Sequence, residues 1–211
     1  MGNEKIYSPR RSFSDIFPVV KPIIPTLHLL SLPGAPYYDD TSIDEIIEYT
    51  MKEVEILIDC GVDGFIIENH GDVPFIKPER FPIETIAAMS VVGAEVSKIA
   101  KKHNLAVGVN CLANAAIPAL SIAKAISADF IRINQFVNAY VANEGFMEGL
   151  AGDILRYRKN IGASDVAIFA DVHVKHGSHA IVADRTIQEQ AKDVLFFSGD
   201  ALICTGQRTG D

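Results

Sequence analysis

Cysteine is scarce in this chain of 211 residues: Cys60, Cys111 and Cys204 are an odd number with no C-x-x-C spacing. That excludes a disulfide-stapled scaffold and a zinc ribbon, and fits reduced, mostly buried thiols in a cytoplasmic protein. Long hydrophobic runs are missing too. Lys21, His28, Lys98 or Lys124 interrupts each apolar stretch before it reaches the ~18 residues a membrane span needs. The opening MGNEKIYSPRRSFSDIF has no apolar segment of the kind that marks a secretory signal. Positive charge is in deficit, with 19 Lys and Arg against 27 Asp and Glu, net −8. No nucleic-acid partner is expected from such a balance. Neither G-x-G-x-x-G nor G-x-x-x-x-G-K-[ST] occurs, so the familiar phosphate loops are excluded. What remains is an ordinary globular composition, 48% hydrophobic and 22% charged.

Residues 1–20 are polar and broken by Pro9 and Pro18, and read as an N-terminal arm in which Ser12–Phe17 can dock as a helical turn. Beyond them a rhythm sets in. Apolar runs at 23–28, 63–68, 105–110, 129–134, 166–171 and 200–204 predict buried strands. Helical patterns at 42–60, 83–103, 115–127, 147–161 and 186–197 lie between them. Ser42 and Glu45 form a capping box, and Gly61 and Gly162 stop their helices. Alternating strands and helices predict an α/β fold with a parallel sheet over 21–211. Two architectures fit: an open doubly wound sheet, or a (β/α)8 barrel with six β units and the last two βα units missing. The chain stops at Asp211, straight after the sixth strand. With the first and sixth strands as open edges, association into a homo-oligomer is expected.

Strand alternation then divides the faces. In the fifth strand Val166, Ile168, Ala170, Val172 and Val174 make one apolar face, and Ala167, Phe169, Asp171, His173 and Lys175 the other. The same division leaves Arg132 and Asn134 inward in the fourth strand, Asn110 in the third, Glu68 in the second and His28 in the first. On each inward face polarity collects at the C-terminal end, where parallel α/β folds build their sites. Asp171 and His173 could serve as an oriented acid–base pair, with Lys175 and Glu68 as further catalytic groups. Arg132 suits a carboxylate or phosphate. A divalent metal held by Glu68, His28, Asp171 and His173 is an alternative that does not rank above metal-free catalysis; the H-x-x-H spacing of His173 and His176 is not a specific zinc signature and is read first as two histidines without metal. The segment 135–147 is long for a βα connection and reads as a lid or an ordered surface loop.

Several motifs come together in this order: HLLSLPGAP at 28–36, GVDGFIIEN at 61–69, VGVN at 107–110, FIRIN at 130–134, DVHVKH at 171–176 and CTG at 204–206. Their order and spacing resemble the BtpA/SgcQ family of (β/α)8-barrel proteins. The resemblance covers roughly 23–211, and departs at Gln135-Phe136-Val137, where many members carry a histidine–threonine pair. It implies a TIM barrel that continues for two more βα units, with a glycine-rich strand end that holds phosphate. Thr205 joins His28, Asn110, Arg132 and Asn134 as a substrate-binding residue on this basis. Two roles follow from the resemblance, and both stay open. One is an enzyme acting on a small phosphorylated or carboxylated metabolite, a sugar or nucleoside derivative. The other is a non-catalytic biogenesis factor for photosystem I reaction-centre proteins, for which peripheral membrane association is an option.

Overall fold

The computed structural model describes residues 11–208. Residues 1–10 of the expected arm, and Thr209, Gly210 and Asp211, lie outside the described residues. Six strands form one parallel sheet: β1 (Thr26–His28), β2 (Gly64–Glu68), β3 (Ala106–Asn110), β4 (Phe130–Ile133), β7 (Ala167–Val172) and β8 (Ala201–Cys204). Their order follows the chain, with no reversal. A doubly wound sheet reverses its order at a switch point, so that architecture is excluded. β1 and β8 are the edges, and no pairing joins them among the described residues.

Helices α2 (Ile43–Asp59), α3 (Ile83–Lys102), α4 (Ala116–Ile126), α5 (Ala151–Asn160) and α6 (Ile187–Phe196) connect the strands. Consecutive helices pack side by side from α2 to α5. The Ser42–Glu45 capping box is present at α2, and Thr186 with Glu189 forms another at α6. Both satisfy first-turn amides that the helix itself leaves unpaired. No helix among the described residues is long and apolar enough to cross a membrane.

The period of two along each strand separates two cores. Leu27, Phe65, Ile67, Val107, Ile131 and Ile168 face the helices in one cluster. Ile66, Ala106, Phe130, Ala167 and Phe169 face the other way in a second. The first turn, α1 (Phe13–Ile16), closes this second cluster from below. Ile16 and Phe17 are buried there, and the Phe17 ring meets Phe130 edge-on at 5.9 Å. Phe130 stacks on Phe169 at 4.4 Å. Arg11 pairs with Asp129, whose other oxygen accepts from the Val107 amide, so the turn is tied to the sheet electrostatically as well.

Three expectations need correction. Residues 147–150 are not helical: α5 starts at Ala151, and the segment from 135 carries a hairpin of β5 (Ala139–Ala142) and β6 (Gly145–Glu148) that runs one residue past 147. Gly145, at φ +100°, follows the Asn143-Glu144 turn in the left-handed region that a tight hairpin needs after it. The hairpin is held down by reciprocal backbone hydrogen bonds between Val141 and Ser178, of 3.0 and 2.8 Å. The cysteines are not mostly buried either. Only Cys111 is; Cys60 caps the C-terminus of α2 at the surface and Cys204 sits on the edge strand β8. The third lies at the end of β7, where the strand stops at Val172 and His173 takes a left-handed φ.

Gly108 leaves the space that Phe130 occupies: a Cβ there would lie 2.3 Å from the ring. Gly108→Ala is expected to destabilise the fold by about 1–3 kcal/mol in urea titrations, because overpacking forces the ring off its rotamer. In a Phe130→Leu background the same change should cost measurably less. Equal costs in both backgrounds would refute this account of the close approach.

Candidate functional site

The sheet register builds the site. His28 pairs with Glu68 and Glu68 with Asn110, so three inward side chains stand in one row across β1, β2 and β3. Glu68 Oε1 lies 3.4 Å from His28 Nε2, and its Oε2 accepts from Asn110 Nδ2. Asn110 is buried, and its Oδ1 has no partner among the described residues. On β4, Arg132 is level with Phe169 of β7. Asp171 therefore stands one inward position higher, level with Asn134. Arg132 grips it at two points, Nε to Oδ1 at 3.2 Å and Nη2 to Oδ2 at 3.0 Å, and Asn134 Nδ2 donates to Oδ2 at 3.0 Å.

Burial pushes the Asp171 carboxyl above the usual carboxylate range, opposed by Arg132, Asn134 and Lys175. Burial also disfavours the Arg132 cation, but Asp171 and then Glu68 outweigh it and hold the guanidinium above its ordinary value. Every group hydrogen-bonded to the Asp171 oxygens is an N–H donor, so the ionised form fits and the pair is an ion pair. Asp171 is thus the buried anchor of Arg132, whose outer edge is left to the cleft.

The cleft above this row has a volume of about 320 Å³. His28, Glu68, Asn110, Arg132, Asn134 and Lys175 line it, as the sequence predicts. Asp171 lies beneath it. His173 and Thr205 do not line it, and this corrects their assignment. β7 ends at Val172, and His173 takes a left-handed φ of +58°, which breaks the alternation. Val174, expected to face the helices, instead lines the cleft, while His173 is exposed in a neighbouring groove with His176, Thr205 and Arg208. Thr205 Oγ1 there accepts from the Lys175 amide at 3.0 Å. An Asp171–His173 pair is therefore not assembled. Among the described residues no three His, Cys, Asp or Glu side chains are placed to hold a metal ion together.

Sequence reasoning missed His70, Phe75, Tyr140, Asn143 and Glu144, which also line the cleft. His70 stacks on His28 at 4.2 Å from the turn after β2. A histidine two residues past the last strand position was the available signal. Tyr140 comes from the hairpin, where burial raises its hydroxyl pKa, with Glu144 and Asp171 adding to the effect. Its position could not be read from strand alternation, because the hairpin belongs to no βα unit.

A family model for the BtpA family matches residues 19–211. The chain belongs to the BtpA family. A mitochondrial protein of Caenorhabditis elegans, F13E9.13, is 38% identical over 186 residues, covering 87% of this chain and 66% of the nematode protein. A protein of Archaeoglobus fulgidus is 39% identical over 190 residues, 90% of this chain and 72% of its own length. The photosystem I biogenesis protein BtpA of Synechocystis is 38% identical over 160 residues, 76% of this chain and 54% of that protein. The chain thus spans between about half and three quarters of these family members. Among solved structures, dihydropteroate synthase from Anaplasma phagocytophilum aligns with a TM-score of 0.48 at 12% identity, over 90% of this chain and 95% of that one. A likeness this weak carries no functional argument.

Two predictions follow from the geometry. Asp171→Asn leaves the half-buried Arg132 cation without its counter-charge. It should cost up to about 3–5 kcal/mol in denaturant unfolding, the range for breaking a buried pair from one side; an unchanged midpoint would contradict the anchoring role. The other prediction concerns His179, stacked between Tyr140 at 5.3 Å and His173 at 3.8 Å. Its Nε2 donates to the Val174 carbonyl at 2.8 Å, and its buried Nδ1 has no partner among the described residues. Burial holds its pKa below the ordinary 6.5, against the Val174 hydrogen bond and with help from His173. The unfolded chain then binds the proton more readily. The stability from neutral His179 is present above pH 6.5 and is lost as the pH falls through and below that value. Urea midpoints measured from pH 7.5 down to about 5 should fall more steeply in the wild type than in His179→Phe.

Proposed function

We propose that the cleft is the ligand site of an enzyme acting on a small hydroxylated metabolite that carries a phosphate or carboxylate, by acid–base chemistry. The sheet is read as six of the eight units of a (β/α)8-type barrel, with the cleft at its C-terminal mouth. The observation that carries the reading is the pairing of two different devices on one floor. On one side Glu68 and His28 lie 3.4 Å apart, within reach of passing a proton between a substrate and the ring. Opposite them Arg132 is oriented by Asp171 and Asn134, with Lys175 nearby, as a holder for an anion. The orphaned Asn110 Oδ1 adds an acceptor for a substrate hydroxyl, since a buried polar atom is rarely left without a partner.

In this reading Glu68 takes a proton from the substrate as general base and His28 supplies or accepts the compensating proton at its exposed ring. Asn110 fixes the carboxylate. The alternative is a non-catalytic biogenesis factor for photosystem I, supported by the name of the Synechocystis relative. Relatives in a nematode and an archaeon match a larger share of the chain at similar identity, and a nematode has no photosystem. That favours a ligand site shared across the family.

The test is solvent-proton exchange. The protein in D2O with a panel of sugar phosphates and sugar acids should exchange a substrate C–H of at least one member, followed by proton NMR. Glu68→Gln should slow that exchange about 10²–10⁴-fold with the circular dichroism spectrum unchanged. No exchange across the panel, or wild-type exchange in Glu68→Gln, would sink the acid–base reading.

A further inference from the structure

A second pocket, of about 150 Å³, lies beside the cleft between the loops that follow β1 and β2. Phe75 and Leu112 line both spaces and form the wall between them. Its other walls are apolar, chiefly Pro36, Pro74 and Phe81. Thr85, Asp72 and Asn69 are the polar residues of its lining. Thr85, in the first turn of α3, is buried at 2% exposure, and among the described residues no protein group pairs with its hydroxyl. The same helix end has no side-chain cap. Asp72 is 8% exposed; its Oδ1 accepts from the Leu32 amide at 2.8 Å and its Oδ2 from Asn69 Nδ2 at 3.0 Å. Each of those oxygens keeps a lone pair. Asn69 is spent: its Oδ1 accepts from the Leu112 amide at 2.8 Å and its amide group serves Asp72.

Three physical points narrow the occupant. Walls built largely from Pro and Phe rings suit a ring. The volume suits one ring and not two, since a cavity of about 150 Å³ holds a benzene molecule. The carboxylate of Asp72 sets a negative group in the lining and disfavours an anion there, despite the helix N-terminus. What is left is a neutral ring whose edge offers both an acceptor and a donor.

We infer that this pocket is the subsite for a single six-membered heterocycle with a lactam edge, its C=O accepting from the Thr85 hydroxyl and its N–H donating to the Asp72 carboxylate. The ring forms one end of a ligand whose hydroxylated, anionic part lies in the cleft past Phe75 and Leu112. This linkage rests on the reading of the cleft given above, whereas the ring pocket stands on its own residues.

Isothermal titration with uracil, ribose 5-phosphate and uridine 5′-monophosphate as separate probes tests it. Uracil should bind, and Thr85→Val, which keeps the shape and removes the hydroxyl, should weaken it about threefold to tenfold. Thr85→Ser, which keeps the hydroxyl, should bind uracil as the wild type does. Ribose 5-phosphate affinity should be unchanged in both, and the joined probe should bind at least tenfold tighter than either fragment. Absence of uracil binding, or uracil binding that is indifferent to Thr85→Val, overturns the inference. Ribose 5-phosphate binding without uracil binding overturns the ring pocket and leaves the cleft reading intact. Thr85-dependent uracil binding without ribose 5-phosphate binding supports the ring pocket and counts against the cleft reading.

Discussion

The stack of Phe130 on Phe169 is the contact on which the polar chemistry above it depends. The two rings, with Phe17 edge-on beneath, fill the inner face of the sheet below the cleft. They give Arg132 and Asp171, each two residues further along its strand, a dry floor to stand on. In that low-dielectric setting a two-point ion pair is directional and strong, but also costly to break from one side. Gly108 belongs to the same arrangement, because a Cβ there would take the place of the Phe130 ring. The N-terminal turn completes it by covering Ile66, Ala106 and Ala167 from below.

Two other buried polar contacts show the same logic at the outer core. Arg158 Nη1 donates to Asp200 Oδ2 at 2.7 Å and to the Val166 carbonyl at 3.1 Å, which ties α5 to the starts of β7 and β8. Burial raises the Asp200 carboxyl, against the pull of Arg158 and the Ile168 amide. Asp129, before β4, and Asp200, before β8, play one part: each carboxylate accepts an amide of the strand next door and meets an arginine. Such carboxylates at strand entrances fix the lower ends of the sheet, while the site is built at the upper ends.

The hairpin β5–β6 supplies one wall of the cleft through Tyr140, Asn143 and Glu144. Its Tyr140 ring reaches His179, and the Val141–Ser178 hydrogen bonds clamp it to the segment after β7. The His173–His179–Tyr140 stack then connects the groove beside β8 with the cleft beside β1 and β2.

The sequence alone determined the parallel α/β class, the five linking helices and the convergence of Glu68, Asn110, Arg132 and Asn134 at one end of the sheet. These follow from local rules: period-two alternation inside buried strands and capping residues at helix starts. Only the tertiary structure decided what lies past the strand ends. The alternation rule holds only while the backbone stays extended. At His173 a left-handed residue reverses it, sending Val174 into the cleft and His173 out. Tyr140 and His70 enter the cleft from a hairpin and a turn, whose positions are set by long-range hydrogen bonds and ring stacking. The role of Asp171 as the anchor of Arg132 was settled by the stagger between β4 and β7. Register is a property of two strands together, and one strand's sequence does not contain it.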